Sequence, residues 1–217
     1  MSNKTLDIND ELLGYILKTG VKESDIASRL RQETMGLEMG KMQIAPEQGA
    51  FMAFIAKLIG ASSYLEIGVF TGYSMLHVVE AMGKDASAIG CDLSKEWTDI
   101  AQRYWKEADI DKQIQLYVDK AEQTLKGLKD KSFELAFIDA DKENYDLYYE
   151  ECLRILKPGA LLMIDNIFWG GAVADVTQKD EETQSIRALN KKISSDERVD
   201  ASMLPIGDGL MMVRVKR

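Results

Sequence analysis

The sequence predicts an α/β fold: N-terminal helices, then an open, mostly parallel sheet covered on both faces, then an antiparallel hairpin. Three observations carry this. From Tyr64 onward, short apolar runs of strand length alternate with amphipathic helical stretches, the pattern of successive strand–helix–strand units. Before that point, across the first 60 residues, apolar side chains recur at helical spacing. Near the end, two strand-like runs flank Gly207 and Asp208, a pair that reads as a hairpin turn.

Taken in order, residues 10–18 and 23–37 carry the first two helical patterns. Pro46 opens a third helix, because its missing N–H costs nothing in a first turn, and Gly60 stops it. The strand-like runs are YLEIG at 64–68, ASAIGCD at 86–92, IQLYV at 114–118, FELAFIDA at 133–140 and ALLMID at 160–165. Helices start between them near Gly72, Ser94, Lys120 and Glu143. A last helix near residues 181–193 precedes VDASMLPIG and DGLMMVRVKR, the two arms of the hairpin. At 217 residues, with 46% hydrophobic and 29% charged, the chain has an ordinary globular composition. One domain is expected, with helices over 1–60 and the α/β core over 61–217.

Composition removes several classes of function. Only Cys91 and Cys152 occur, so a disulfide scaffold and a Cys-rich zinc site are excluded, and both read as small buried hydrophobes. His77 is the sole histidine and falls within a helix, where it reads as structural, so histidine-based triads and metal helices have little to build on. Lys plus Arg is 27 against 36 Asp plus Glu, a net charge of −9 that disfavours nonspecific nucleic-acid binding. No apolar stretch approaches the ~18 residues of a membrane-spanning helix. The opening MSNKTLDINDELLGY lacks the apolar core of a signal peptide, so a cytoplasmic protein with no membrane contact is expected.

In open parallel sheets, ligands bind beyond the carboxyl ends of the strands, so the residues there matter most. The first strand ends in Glu66, Gly68 and Gly72. Phe70 and Tyr73 stand where a dinucleotide fingerprint needs glycine, which disfavours a nicotinamide enzyme, and Tyr73 also breaks the phosphate-loop pattern. An acid before a glycine turn repels a pyrophosphate but suits an ammonium or sulfonium group; the alternative is a plain turn with a surface glutamate. Asp92 ends the second strand, where a carboxylate can accept both ribose hydroxyls or can cap the following helix. Asp139 ends the fourth strand and Asp165 and Asn166 the fifth. If those strands are neighbours, two carboxylates and an amide form an oxygen set suited to Mg²⁺ or Ca²⁺ with positions left open. Lys142 then lies where a base could act; otherwise these are capping acids and Lys142 pairs with Asp139 or Asp141. Trp169 lies on a glycine-flanked loop where an aromatic packs on a flat substrate or anchors the loop.

These residues resemble those of the cation-dependent O-methyltransferases, the family of plant caffeoyl-coenzyme A and animal catechol O-methyltransferases and their small bacterial relatives. The matching stretches are MQIAPEQGAFM at 42–52, YLEIGVFTGYSML at 64–76, CDLSKEW at 91–97, FIDADKENY at 137–145, LKPGALLMIDNIFWGG at 156–171 and PIGDGLMMVR at 205–214. They cover residues 42–217 in the family's order; residues 1–41 match only in being helical. The likeness is closer to the bacterial and plant branch.

The resemblance implies a Rossmann-like S-adenosylmethionine-dependent methyltransferase fold with a seven-stranded, mostly parallel sheet. It implies that Glu66, Gly68, Val69 and Ser74 hold S-adenosylmethionine, with Asp92 on the ribose, Ala121 by the adenine, and Asp139 and Asp141 toward the methionine end. Met42 and Ile44 would close over it. Asp139, Asp165 and Asn166 would bind the divalent cation, Mg²⁺ first, with Ca²⁺ or Mn²⁺ as alternatives. Lys142 matches the base of the animal enzyme, and Tyr148 and Trp169 fall on the substrate side. Where plant members have a tryptophan–asparagine pair this chain has Trp169 and Gly170, which argues against a coenzyme A ester. A small vicinal dihydroxy-aromatic substrate and a homodimer are expected. Two rivals stand beside this: methylation of a hydroxylated tRNA base, which the charge of −9 disfavours, and a noncatalytic cofactor-binding domain.

Overall fold

The computed structural model describes residues 6–217, so residues 1–5 of the segment read above for a leader lie outside the described residues. Helices begin where the sequence supplies a cap. The Asn9 side chain accepts from the Leu12 N–H at 2.9 Å to start α1 (Asp10–Gly20). Ser24 does the same for α2 (Asp25–Met35). Helix α3 (Pro46–Ile59) opens on its proline and ends at Gly60, whose φ of 63° is left-handed.

Seven strands follow: β1 (Ser63–Ile67), β2 (Ser87–Asp92), β3 (Ile114–Val118), β4 (Phe133–Ile138), β5 (Leu156–Ile164), β6 (Val199–Leu204) and β7 (Leu210–Val215). The helices between them are α4 (Tyr73–Met82), α5 (Lys95–Glu107), α6 (Ala121–Gly127), α7 (Tyr145–Ile155) and α8 (Glu181–Ser195). The strand order is β3-β2-β1-β4-β5-β7-β6. Strands β1 to β5 pair in parallel, and β7 lies antiparallel to both β5 and β6. The order reverses between β1 and β4, the switch point where such sheets open a ligand crevice.

Side chains alternate across each strand and divide the core in two. Tyr64, Leu135 and Phe137 pack with Met52 of α3, Leu76 of α4 and Trp105 of α5 on one face. Leu65, Ile67, Ala136 and Ile138 pack with Leu125 of α6, Tyr149 of α7 and Leu189 of α8 on the other. One expectation needs correction. Strand β5 starts at Leu156 rather than 160, because Phe133 pairs with Leu156 across a register shift that absorbs the Pro158 and Gly159 backbone. The hairpin turns at Gly207 and Asp208, where the Gly209 N–H donates to the Ile206 carbonyl at 2.9 Å, within a loop over 205–209 that reaches back over the end of β5. Among the described residues no helix is long and apolar enough to cross a membrane.

Candidate active site

At the switch point the glycine turn after β1 is pinned from both neighbouring strands. Gly68 donates its N–H to the Cys91 carbonyl at 2.9 Å, and its φ is 89°. A Cβ on Gly68 would lie 1.8 Å from the Asp139 carbonyl oxygen, so only glycine lets β1 and β4 end this close together. The Asp92 carboxylate holds the same turn. One oxygen accepts the N–H groups of Val69 and Phe70 at 2.9 and 2.7 Å, and the other accepts that of Ser94 at 2.7 Å. Asp92 therefore braces the start of α5 and the glycine turn together, and Ser94 itself is the N-cap.

Glu66 is not a surface residue. Its carboxylate lies fully buried beneath the turn and accepts the Ser74 hydroxyl at 2.6 Å and the Tyr64 hydroxyl at 2.7 Å. Burial pushes it up to about 8, against the pull of those two hydroxyls.

The ends of β4 and β5 come together as the sequence requires for an oxygen site. Ile138 pairs with Ile164, and the Asp165 N–H reaches the Ile138 carbonyl at 3.0 Å, which sets Asp165 and Asn166 beside Asp139. Asn166 has a left-handed φ of 56°, a conformation asparagine tolerates, and it turns the chain at that point. Lys142 enters the same space. Its Nζ lies 3.1 Å from Asp139 Oδ1, 2.6 Å from Asn166 Oδ1 and 2.6 Å from the Tyr145 hydroxyl, and the residue is only 7% exposed. Burial and the Asp139 charge push the Asp165 carboxyl up to about 7, while the Asn166 N–H, the Gln48 amide and Lys142 pull against them. The arrangement thus stabilises positive charge at one point between two acids and an amide oxygen. A hard divalent cation fits this donor chemistry. Among the described residues no three carboxylate, imidazole or thiolate side chains converge, so an amide is needed to complete any such set.

The remaining expected residues surround this centre. Asp141 is exposed, and it accepts the Tyr148 hydroxyl at 2.7 Å and the Asn144 amide. Tyr148 is accordingly buried, its hydroxyl committed to Asp141. The Trp169 ring faces the Lys142 ammonium at 5.6 Å. Val69, Ser74 and Ala121 are buried, Ile44 is in the core beside α3, and Met42 is exposed just before it. Gln48, Tyr145 and Asp208 join the site without having been singled out. Gln48 is 1% exposed, and its amide faces the Asp165 carboxyl. Tyr145 is one helical turn from Lys142, a spacing that could have flagged it. Gln48 and Asp208 fall inside the quoted PEQG and GDG stretches, but only the fold brings those stretches to β5.

Known proteins share this architecture. The probable caffeoyl-CoA O-methyltransferase 2 of Dictyostelium discoideum is 37% identical over 94% of this chain and 91% of its own. Tricin synthase 2 of Oryza sativa subsp. japonica is 35% identical over 98% of this chain and 77% of its own. The O-methyltransferase of tomaymycin synthesis from Streptomyces achromogenes, solved in complex with S-adenosylmethionine, superposes with a TM-score of 0.87 at 25% identity, covering 94% of this chain and 95% of that one. With residues 17–216 matching the family described as O-methyltransferase, and with the acids and amide gathered at the switch point of its sheet, the chain belongs to the O-methyltransferase family.

Proposed function

We propose that the protein transfers the methyl group of S-adenosylmethionine to one hydroxyl of a small vicinal dihydroxy-aromatic substrate, with a divalent cation, and that it works as a homodimer. The observation that carries the reading is the meeting of Asp139, Asp165 and Asn166 at the ends of β4 and β5 around the Lys142 ammonium. These three residues would hold the cation, Mg²⁺ first and Ca²⁺ or Mn²⁺ as alternatives. When bound, such a cation supplies Lewis acidity toward both oxygens of a catechol. S-adenosylmethionine supplies the electrophilic methyl.

This chain's own residues do the rest. The turn from Gly68 to Ser74 and the Asp92 carboxylate form the cofactor side of the crevice; Asp141 borders it, with Ala121, Met42 and Ile44 beyond. Asp92 spends three of a carboxylate's roughly four acceptor sites on the N–H groups of Val69, Phe70 and Ser94, which leaves one on Oδ1 for a ribose hydroxyl. As the free amine, Lys142 Nζ would take the proton of the attacking hydroxyl, and Asp139 Oδ1 and Asn166 Oδ1 would hold the ammonium that forms, a role of the kind general bases fill for ~10²–10⁴-fold in rate. Trp169 orients the flat ring beside it. Holding both reactants in one crevice removes much of the entropic barrier.

The test is methyl transfer followed by mass spectrometry. S-adenosylmethionine is offered with caffeic acid, its coenzyme A ester, a simple catechol and the matching monophenols, with Mg²⁺ and with a chelator. One methyl gained on the vicinal diols alone, lost on chelation and in Asp165→Ala, is expected. Turnover unaffected by both interventions would sink the cation mechanism. No product despite bound S-adenosylmethionine would turn attention to an RNA hydroxyl or a noncatalytic role.

A further inference from the structure

The β6–β7 loop contacts the site from the far side of Asn166, and its contacts are specific. The Ile167 N–H donates to the Gly209 carbonyl at 3.2 Å, and the Phe168 N–H to the Asp208 carbonyl at 3.1 Å. A Cβ on Gly209 would come 2.5 Å from the Phe168 ring, and one on Gly207 2.6 Å from Gln48 Oε1, so the loop is wedged between the Trp169 loop and α3. Into this wedge Asp208 sends its carboxylate. Oδ1 accepts the Gly170 N–H at 2.7 Å, and Oδ2 faces the Asn166 Nδ2 at a longer 3.5 Å.

A carboxylate only accepts, so the end of the Asn166 amide turned toward it must be the NH₂. The other end, Oδ1, is thereby turned toward Asp139 and Lys142, where it accepts the ammonium at 2.6 Å. An asparagine ligates a cation only through that oxygen. We propose that Asp208 is a positioning residue of the methyl-transfer site: it fixes the Asn166 amide with its oxygen toward Asp139 and Asp165, and it pins the backbone of the Trp169 loop through Gly170. This rests on the cation reading above and adds a residue to it.

Asp208→Asn discriminates by chemistry rather than size. The new amide must set an NH₂ against either the Gly170 N–H or the Asn166 NH₂. The second clash is relieved if Asn166 rotates, and its NH₂ then points at the cation's place. Asn166→Asp offers an oxygen at both ends, so its orientation toward a cation no longer matters, and in the double variant the NH₂ introduced at position 208 meets the near oxygen in place of the carboxylate pair that N166D alone sets face to face. The measurement is Mn²⁺ binding to the full chain by electron paramagnetic resonance, in wild type, D208N, N166D and the double variant, with thermal unfolding as a check on folding. We expect D208N to weaken Mn²⁺ binding about 10–100-fold, the range found when a ligand's outer partner is lost. In the N166D background the same change should cause no further loss, a double-mutant cycle with a large coupling. Equal losses in both backgrounds, or no loss in either, would overturn the proposal while leaving the cation site standing. If wild type binds no Mn²⁺, the cation reading fails and this inference fails with it. Should D208N not fold, Asp208→Glu keeps an acceptor-only group and is expected to bind Mn²⁺ close to the wild-type value; a loss there overturns the proposal equally.

Discussion

A carboxylate with no solvent and no cation beside it is costly unless it carries a proton, and Glu66 is such a group. Its two hydroxyl partners, Tyr64 and Ser74, can each donate to the ionised form or reorient to suit the protonated one. Because burial holds its native value at about 8 against an ordinary 4.5, folding favours the protonated form. The stability this contributes is fully present below about 4.5 and fades as pH rises through about 8. Glu66→Gln keeps a neutral group of the same shape at every pH. The wild-type melting temperature should therefore fall relative to that of E66Q between pH 5 and pH 8 or so, as read by fluorescence-monitored unfolding. Parallel curves across that interval would show that Glu66 is ionised throughout. Residue identity alone placed this acid before a glycine turn; that it points inward follows from Tyr64 and Glu66 lying two apart on the same face of β1.

At the scale of elements, the site depends on how close β1 and β4 can end. Gly68 sets that distance, since an added Cβ would overlap the Asp139 carbonyl and would also sit at a φ of 89°. Gly68→Ala should lower stability by about 1–3 kcal/mol from backbone strain alone. It should also displace Asp139, so methyl transfer falls further than the loss of folded protein explains; denaturant titration and turnover on the same preparations separate the two. A variant as stable and active as wild type would show that the turn relaxes freely. Alternating runs and caps in the sequence were enough to name these elements, because the central strands β1 and β4 are short apolar runs buried on both faces. Their register was not legible. Asp208 lies behind Asn166 only because β7 inserts beside β5, and no local pattern reports that insertion. The early start of β5 was hidden for the opposite reason: Pro158 and Gly159 look like a loop, yet a register shift carries the pairing past them.

For the whole molecule, the outer side of α3 around Phe54 and Leu58 is left uncovered among the described residues. Phe54 is 60% exposed and Leu58, one turn on, is 67% exposed, so the two lie together on one side of the helix. Fully covering a side chain of this kind is worth roughly 1.5–3 kcal/mol. Two copies meeting on this face would bury both residues twice over, which accounts for a homodimer better than charge could, because a net −9 makes the copies repel. The two effects pull association in opposite directions, and salt separates them: it screens the repulsion and leaves apolar burial intact. Sedimentation of the wild type should show a dimer whose dissociation constant falls as ionic strength rises. Phe54→Glu with Leu58→Glu should give a monomer at the same concentrations, with the fold retained by circular dichroism. A wild type that is monomeric at every salt concentration would remove the dimer, and a dimer untouched by the double change would move the interface off α3.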